Sequence, residues 1–167
     1  MGMSVTISVA SGTDVEQIFR LRYLCFQSEA ALYGNYRIDP LVQGLDSVRE
    51  EVASDCVFVA RLGEEVVGSV SGRLTEDGAA AIGKLCVHPR LQGHGIGARL
   101  LRAAEAALAE ERGATRFRLH TGHRSEGNLR LYRRVGYQTV GTQQGTDGVP
   151  MIVLEKPAQA DSFAATA

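Results

Sequence analysis

Val5, Ile7 and Val9 alternate with polar neighbours, the period-two pattern of a half-buried strand. Thr13-x-x-Glu16 then reads as a capping box that opens a helix. That helix carries Val15, Ile18, Phe19, Arg22, Cys25 and Phe26 on or near one stripe and is predicted to run to about Ser28. From Glu29 to Gly44 no period holds. Gly34, Asn35, Pro40 and Gly44 predict a long loop containing Tyr33 and Tyr36. Ser47-x-x-Glu50 is a second capping box, with Val48 and Val52 on one face of a short helix. Strands follow at 56–62, 66–74 and 79–87, joined by tight turns at Gly63-Glu64 and Glu76-Asp77-Gly78.

The last of these strands ends in Leu85-Cys86-Val87, and Pro89 stops its ladder because proline has no N–H to give. Gly93, Gly95 and Gly97 come next, at alternate positions. Ile96, Leu100, Leu101, Ala104 and Leu108 then recur with helical spacing to about Arg112, with Gly113 at the C′ position. A strand at 115–121 follows. Ser125 is placed to cap a short helix through Arg134 that Gly136 closes, and Val140 and 151–154 make two last strands. The pattern predicts about seven strands and four helices. Hairpins come first and a parallel βαβ unit sits in the middle, which is an α+β or mixed α/β fold. One domain is expected over 1–156, with a disordered low-complexity tail over 157–167.

Composition narrows the class without choosing a function. A chain of 167 residues buries about two thirds of its unfolded surface. Its hydrophobic content of 44%, charged content of 22% and net charge of −1 are those of an ordinary globular protein and speak against a nucleic-acid binder working by bulk charge. No run of 18 apolar residues predicts a membrane span. Cys25, Cys56 and Cys86 are odd in number and lie within apolar runs, which predicts reduced core thiols in a cytoplasmic protein. His88, His94, His120 and His123 lack the company of metal-site motifs, so no metal is expected.

The order strand, turn, glycine-rich loop, helix aims unpaired N–H groups and the positive end of a helix dipole at one small volume, a ready anion site. The P-loop spacing Gly-x-x-x-x-Gly-Lys-Ser/Thr is absent. The dinucleotide fingerprint Gly-x-Gly-x-x-Gly is disfavoured, because the spacing here is Gly-x-Gly-x-Gly, a proline intervenes and the unit comes halfway along the chain. Gln92-Gly93-His94-Gly95-Ile96-Gly97 resembles instead the Arg/Gln-x-x-Gly-x-Gly/Ala loop of the GNAT acyltransferases. Val87-His88-Pro89 is similar to the family's strand end. Leu131-Tyr132, followed by Gly136-Tyr137, is similar to its downstream signature. The order of elements fits that family from Val5 to Leu154.

The resemblance implies a seven-stranded mixed sheet with about four helices on both faces, and an N-acetyltransferase acting in a ternary complex with acetyl-CoA and a primary amine. It implies that Gln92, Gly93, His94, Gly95, Ile96, Gly97 and Ala98 hold the pyrophosphate. Leu85, Cys86 and Val87 would bind pantetheine and the thioester carbonyl through the main chain, in a strand that splays from its parallel neighbour. Tyr132 would give the leaving thiolate its proton, although a packing role for that ring is the alternative on the residues alone. The family's commonest asparagine falls at Ser125 in this chain, and Asn128 lies one turn later. One of the two would contact pantetheine, and Asn128 could instead orient Tyr132. His120, on the strand beside the expected thioester, is one candidate base, and Glu29 and Glu76 are others. Glu29, Tyr33 and Tyr36 are expected to wall the acceptor site, and a small-molecule or peptide amine is the expected partner. A homodimer follows from the resemblance alone. The competing reading is a non-catalytic acyl-CoA-binding module or sensor.

Overall fold

A computed structural model describes residues 4–145 and 148–158. Within it the strand order is β1-β2-β3-β4-β5-β7-β6, a mixed seven-stranded sheet as expected. The strands are β1 (Val5–Val9), β2 (Cys56–Leu62), β3 (Glu65–Leu74), β4 (Ala79–Val87), β5 (Arg116–Gly122), β6 (Gln138–Gln144) and β7 (Pro150–Pro157). The helices are α1 (Val15–Cys25), α2 (Gln27–Tyr33), α3 (Asp39–Val42), α4 (Leu45–Ser54), α5 (Ile96–Arg112) and α6 (Glu126–Arg134). The described residues fall into two compact units, one drawn from 4–72 and 83–104 and the other from 73–82, 105–145 and 148–158.

In the first unit, β1, β2 and β3 run antiparallel, with a bulge on β3 at Val67, where Ala60 pairs with Gly68 but Arg61 with Val66. The bulge shifts the side-chain alternation by one. Val57, Val59, Val66 and Cys86 pack with Val15, Ile18 and Leu21 of α1 and Val48 of α4 on one face. The other face meets α5. A Cβ at Gly68 would stand 3.0 Å from Leu100 Cδ1 and 3.2 Å from the Cys86 carbonyl, so only glycine lets α5 lie this close.

Two ion pairs sit inside this apolar layer. Arg22, 1% exposed, donates to both Glu51 oxygens, at 3.0 and 2.6 Å. Asp14 accepts both ends of the Arg61 guanidinium at 2.7 Å. Such forks satisfy buried carboxylates with directed donors.

The sequence misplaces the boundaries at both helix starts. The capping box is Ser11-x-x-Asp14, not Thr13-x-x-Glu16: the Ser11 N–H donates to Asp14 Oδ2 at 2.9 Å, ahead of a 3₁₀ turn. Gly44 occupies the N-cap of α4, and Ser47 lies inside the helix, where its hydroxyl accepts from Gln43 Nε2 at 3.1 Å. The helix expected to reach Ser28 ends at Cys25. Gln27 Nε2 and the Ser28 hydroxyl take the carbonyls of Tyr23 and Cys25, which bends the chain into α2. Helix formers at 29–32 then keep much of the expected loop helical until Gly34, at φ 64°, caps it. The long loop from Glu29 to Gly44 is therefore a helix, a short link and the four-residue α3.

In the second unit, the first half of β4 pairs in parallel with β5, from Ala79↔Arg116 to Ile82↔Leu119. β7 lies antiparallel between β5 and β6. Asp77 pins the turn before β4. Its Oδ1 accepts from the Thr75 hydroxyl and the Ala79 N–H, and its Oδ2 accepts from Arg116 and Arg118 at 2.8 Å each. Pro157, placed in the expected tail, closes β7 opposite Arg116; residues 159–167 of that tail lie outside the described residues.

Candidate active site

Within the first unit, the end of β4 leads into the glycine loop. The His88 N–H donates to the Val67 carbonyl at 2.8 Å, so the bulge on β3 anchors the strand end. Pro89–Leu91 forms one 3₁₀ turn, and His88 Nδ1 accepts from the Arg90 N–H at 3.2 Å. Gly93 and Gly95 adopt φ of 84° and 79°, which a residue with a Cβ rarely takes. No described atom beyond the chain neighbours lies within 4 Å of where a Cβ would stand on either, so their role is conformational. Gly97 lies inside the first turn of α5, and Ile96 and Ala98 are buried beneath it. The loop therefore delivers the start of a 17-residue helix to open space.

The Gln92 and His94 side chains turn back onto carbonyls of their own loop. The Gln92 side chain donates from Nε2 to the Val87 carbonyl at 3.2 Å and braces the turn. His94 Nδ1 lies 3.2 Å from the Leu91 carbonyl. The Val87 carbonyl also accepts from Cys25 Sγ at 3.4 Å, which ties the end of α1 to the end of β4. The neighbouring Cys86 thiol, and burial, hold the Cys25 thiol above the ordinary thiol range. All three cysteines are thiols rather than disulfides.

Glu29 and Tyr33 share one face of α2, four residues apart, and Tyr36 follows the Gly34 cap at 57% exposure. Leu85 and Val87 are half-buried and Cys86 is buried against Ser69, whose hydroxyl is 3.6 Å from its sulfur.

Within the second unit, β5 and α6 carry the remaining candidates. Tyr132 is 6% exposed, and its ring is tilted against Tyr137 at 6.2 Å between centroids. Asn128 Nδ2 donates to the buried Thr121 hydroxyl at 3.3 Å, which locks α6 to the end of β5. Ser125 is buried at the N-cap position, with its N–H on the Gly122 carbonyl at 3.0 Å; the expected side-chain cap does not form. His120 projects from β5 with Nε2 at 3.1 Å from Gln143 Oε1. An amide oxygen only accepts, so Nε2 carries the hydrogen in this arrangement and Nδ1 is the basic nitrogen. Glu76 lines a cleft with Arg73, Asp77 and Arg118, by the turn that leads into the paired end of β4. That turn bonds to Arg116 and Arg118 of β5, the strand that also carries His120.

Among the described residues no group of three or more His, Cys, Asp or Glu side chains is placed to hold a metal ion, and no helix is long and apolar enough to cross a membrane.

Sequence reasoning missed Lys84, Gln43 and Glu51. Lys84 Nζ donates to Glu51 Oε1 and Gln43 Oε1, at 3.1 Å each. Burial alone would raise the Glu51 carboxyl, but hydrogen bonds and charge from Arg22, with Gln43 and Ser71, outweigh it and hold the group well below the carboxylate range. Arg22 on an otherwise apolar stripe was the available signal: a cation there needs a buried anion, and sequence does not say which.

Comparison with known proteins agrees with this layout. No curated protein sequence matches the chain. Solved structures do. The PaiA N-acetyltransferase of Thermoplasma acidophilum in complex with coenzyme A superposes with a TM-score of 0.76 at 17% identity, covering 93% of this chain and 99% of that one. The ribosomal-protein-S18-alanine N-acetyltransferase of Escherichia coli gives 0.68 at 20% identity over 93% and 95%. Aminoglycoside 6'-acetyltransferase type Ii gives 0.74 at 22% over 92% and 97%. These likenesses establish the fold. The model of the acetyltransferase (GNAT) family matches residues 15–137, from the start of α1 to the tyrosine after α6, and the chain belongs to that family.

Proposed function

We propose that the protein transfers an acetyl group from acetyl-CoA to a primary amine by direct attack in a ternary complex. The observation that carries this reading is the loop at Gly93 and Gly95, whose positive φ values leave the start of α5 open to a pyrophosphate. Leu85, Cys86 and Val87 would hold pantetheine and offer a main-chain N–H to the thioester oxygen, the group on which negative charge develops. The amine nitrogen attacks the carbonyl carbon, the C–N bond forms and the C–S bond breaks. Tyr132 gives its hydroxyl proton to the departing thiolate. His120 Nδ1 is the candidate to take the one proton that the product nitrogen loses, and that proton, passed on through solvent, restores the Tyr132 hydroxyl and leaves His120 neutral. Asn128 serves as a positioning residue through Thr121, and Ser125 stays a pantetheine candidate.

The acceptor class is open; similar structures are named, among others, for an alanine of a ribosomal protein and for an aminoglycoside. Glu29, Tyr33 and Tyr36 are proposed to face it. We further place the protein in the cytoplasm as a homodimer with one domain per chain. The test is thiol release from acetyl-CoA with a panel of amines. Tyr132→Phe should slow release about a hundredfold while CoA still binds. Binding without release by the wild type would make the chain a CoA-binding module instead, and no binding at all would end the reading.

A further inference from the structure

Lys84 is the one non-glycine residue with positive φ among the described residues, at 53°. It falls in β4 after the parallel pairing with β5 has ended at Ile82, and directly before Leu85. A side chain in the left-handed region is disfavoured by its own Cβ, and such positions persist only where the surroundings over-determine them. Gly83 stands next to it and could have taken that conformation freely. The bend is nevertheless placed on the lysine, so the side chain is part of it. That side chain is tethered: Nζ meets Glu51 Oε1 and Gln43 Oε1, at 3.1 Å each. Glu51 is itself fixed, 8% exposed and forked by Arg22. Gln43 is the residue that ends α3, and its own Nε2 donates to Glu51 Oε1 at 2.9 Å.

We propose that Lys84 is a positioning residue for acyl transfer. Its ion pair with Glu51 holds the left-handed bend of β4 and so sets the direction of the N–H and C=O groups from Leu85 to Val87. The inference rests on the proposed role of those groups as ligands of the acetyl-pantetheine arm. Through Gln43 the same tether joins the bend to the end of α3. A ligand that rotates the 85–87 backbone must therefore strain a buried charge network.

Two substitutions separate the bend from the charge. Lys84→Met loses the ion pair and keeps the Cβ that opposes the bend. Lys84→Gly loses the ion pair and takes the bend freely. Calorimetric titration with acetyl-CoA should show Lys84→Met weakened about tenfold and Lys84→Gly by less than about threefold. Both should melt below the wild type, because both lack the pair. Should Lys84→Met not fold, Lys84→Gln takes its place with the same expectation. Equal weakening by the two variants, or none in either, would overturn the proposal, since a merely structural lysine cannot be rescued by glycine. Wild-type protein that binds no acetyl-CoA would instead sink the functional reading on which the proposal stands.

Discussion

The Tyr137 hydroxyl donates to Glu105 Oε2 at 2.8 Å, with both residues buried, at 2% and 7% exposure. Lys156 completes the group, with Nζ 2.9 Å from Glu105 Oε1 and 5.6 Å above the Tyr137 ring. Burial first, then the Glu105 charge, push the Tyr137 hydroxyl far above the phenol range, so it stays a donor at any physiological pH. The bond joins the C-terminal half of α5 to Tyr137, three residues beyond the end of α6, and sets the wall against which Tyr132 packs. Tyr137→Phe leaves Glu105 with Lys156 alone and should lower the unfolding free energy by about 1.5–3 kcal/mol, the range for hydrogen bonds to charged groups. Urea denaturation reads it. An unchanged midpoint would mean the hydroxyl contributes nothing net.

The Arg22–Glu51 pair predicts a sign reversal. Arg22→Met strands a carboxylate that keeps Lys84, Gln43 and Ser71 but loses its fork, and should cost about 3 kcal/mol. Adding Glu51→Leu removes the stranded charge and should recover part of that loss. A double variant no more stable than the single one would show that the apolar layer cannot close over the site.

Acid should unfold the protein through the same carboxylates. The Arg61 hydrogen bonds first of all hold Asp14 below its ordinary 3.8. Glu51 is held below its ordinary 4.5. Folded values below unfolded ones mean the unfolded chain binds more protons, so the stabilisation is present above the unfolded values and fades as pH falls through the folded ones. The urea midpoint should stay level from pH 7 to about 5 and drop steadily below about 4. Asp14→Asn should lower the midpoint at pH 7 and flatten the acid limb. An acid limb as steep as the wild type's would assign the effect to other groups.

Glycine substitutions divide conformation from space. Gly95→Ala meets no atom but must hold φ 79°, which should cost about 1–2 kcal/mol and displace the N–H groups at the start of α5. Its affinity for CoA should fall about tenfold or more, by calorimetry. Gly127→Ala, in α6 with equally open space and no positive φ, should instead stabilise by about 0.5–1 kcal/mol and leave CoA binding alone. Equal effects at the two positions would remove the case for a shaped anion loop.

Where the backbone itself demanded a residue type, the sequence was readable. Gly63, Gly78, Gly93, Gly95, Gly113 and Gly136 all have positive φ, and each marked a turn or helix end in advance. Strands 56–62 and 79–87 coincide with β2 and β4 because apolar runs between turn signals leave little choice. Pairing at a distance was not readable. Arg22 and Glu51 are 29 positions apart, and nothing local to either names the other. Val9, expected half-buried, is 65% exposed, because period two tells which residues share a face but not how far that face is covered at the sheet's edge. The candidate site divides the same way. Gly93 and Gly95 were legible, whereas Lys84 carries no motif and is exceptional only in φ. Thr121 and Asn128 are seven positions apart, and the spacing alone does not show that their side chains bond.

The place of β7 between β5 and β6 constrains how the chain is made. β5 and β6 emerge from the ribosome first, and neither can complete its ladder until residues 150–157 follow. The Lys156 partner of Glu105 arrives with the same segment. The second unit thus stays open through synthesis of its own helix and both flanking strands, and a nascent chain stalled before Pro150 presents two unpaired strand edges to chaperones.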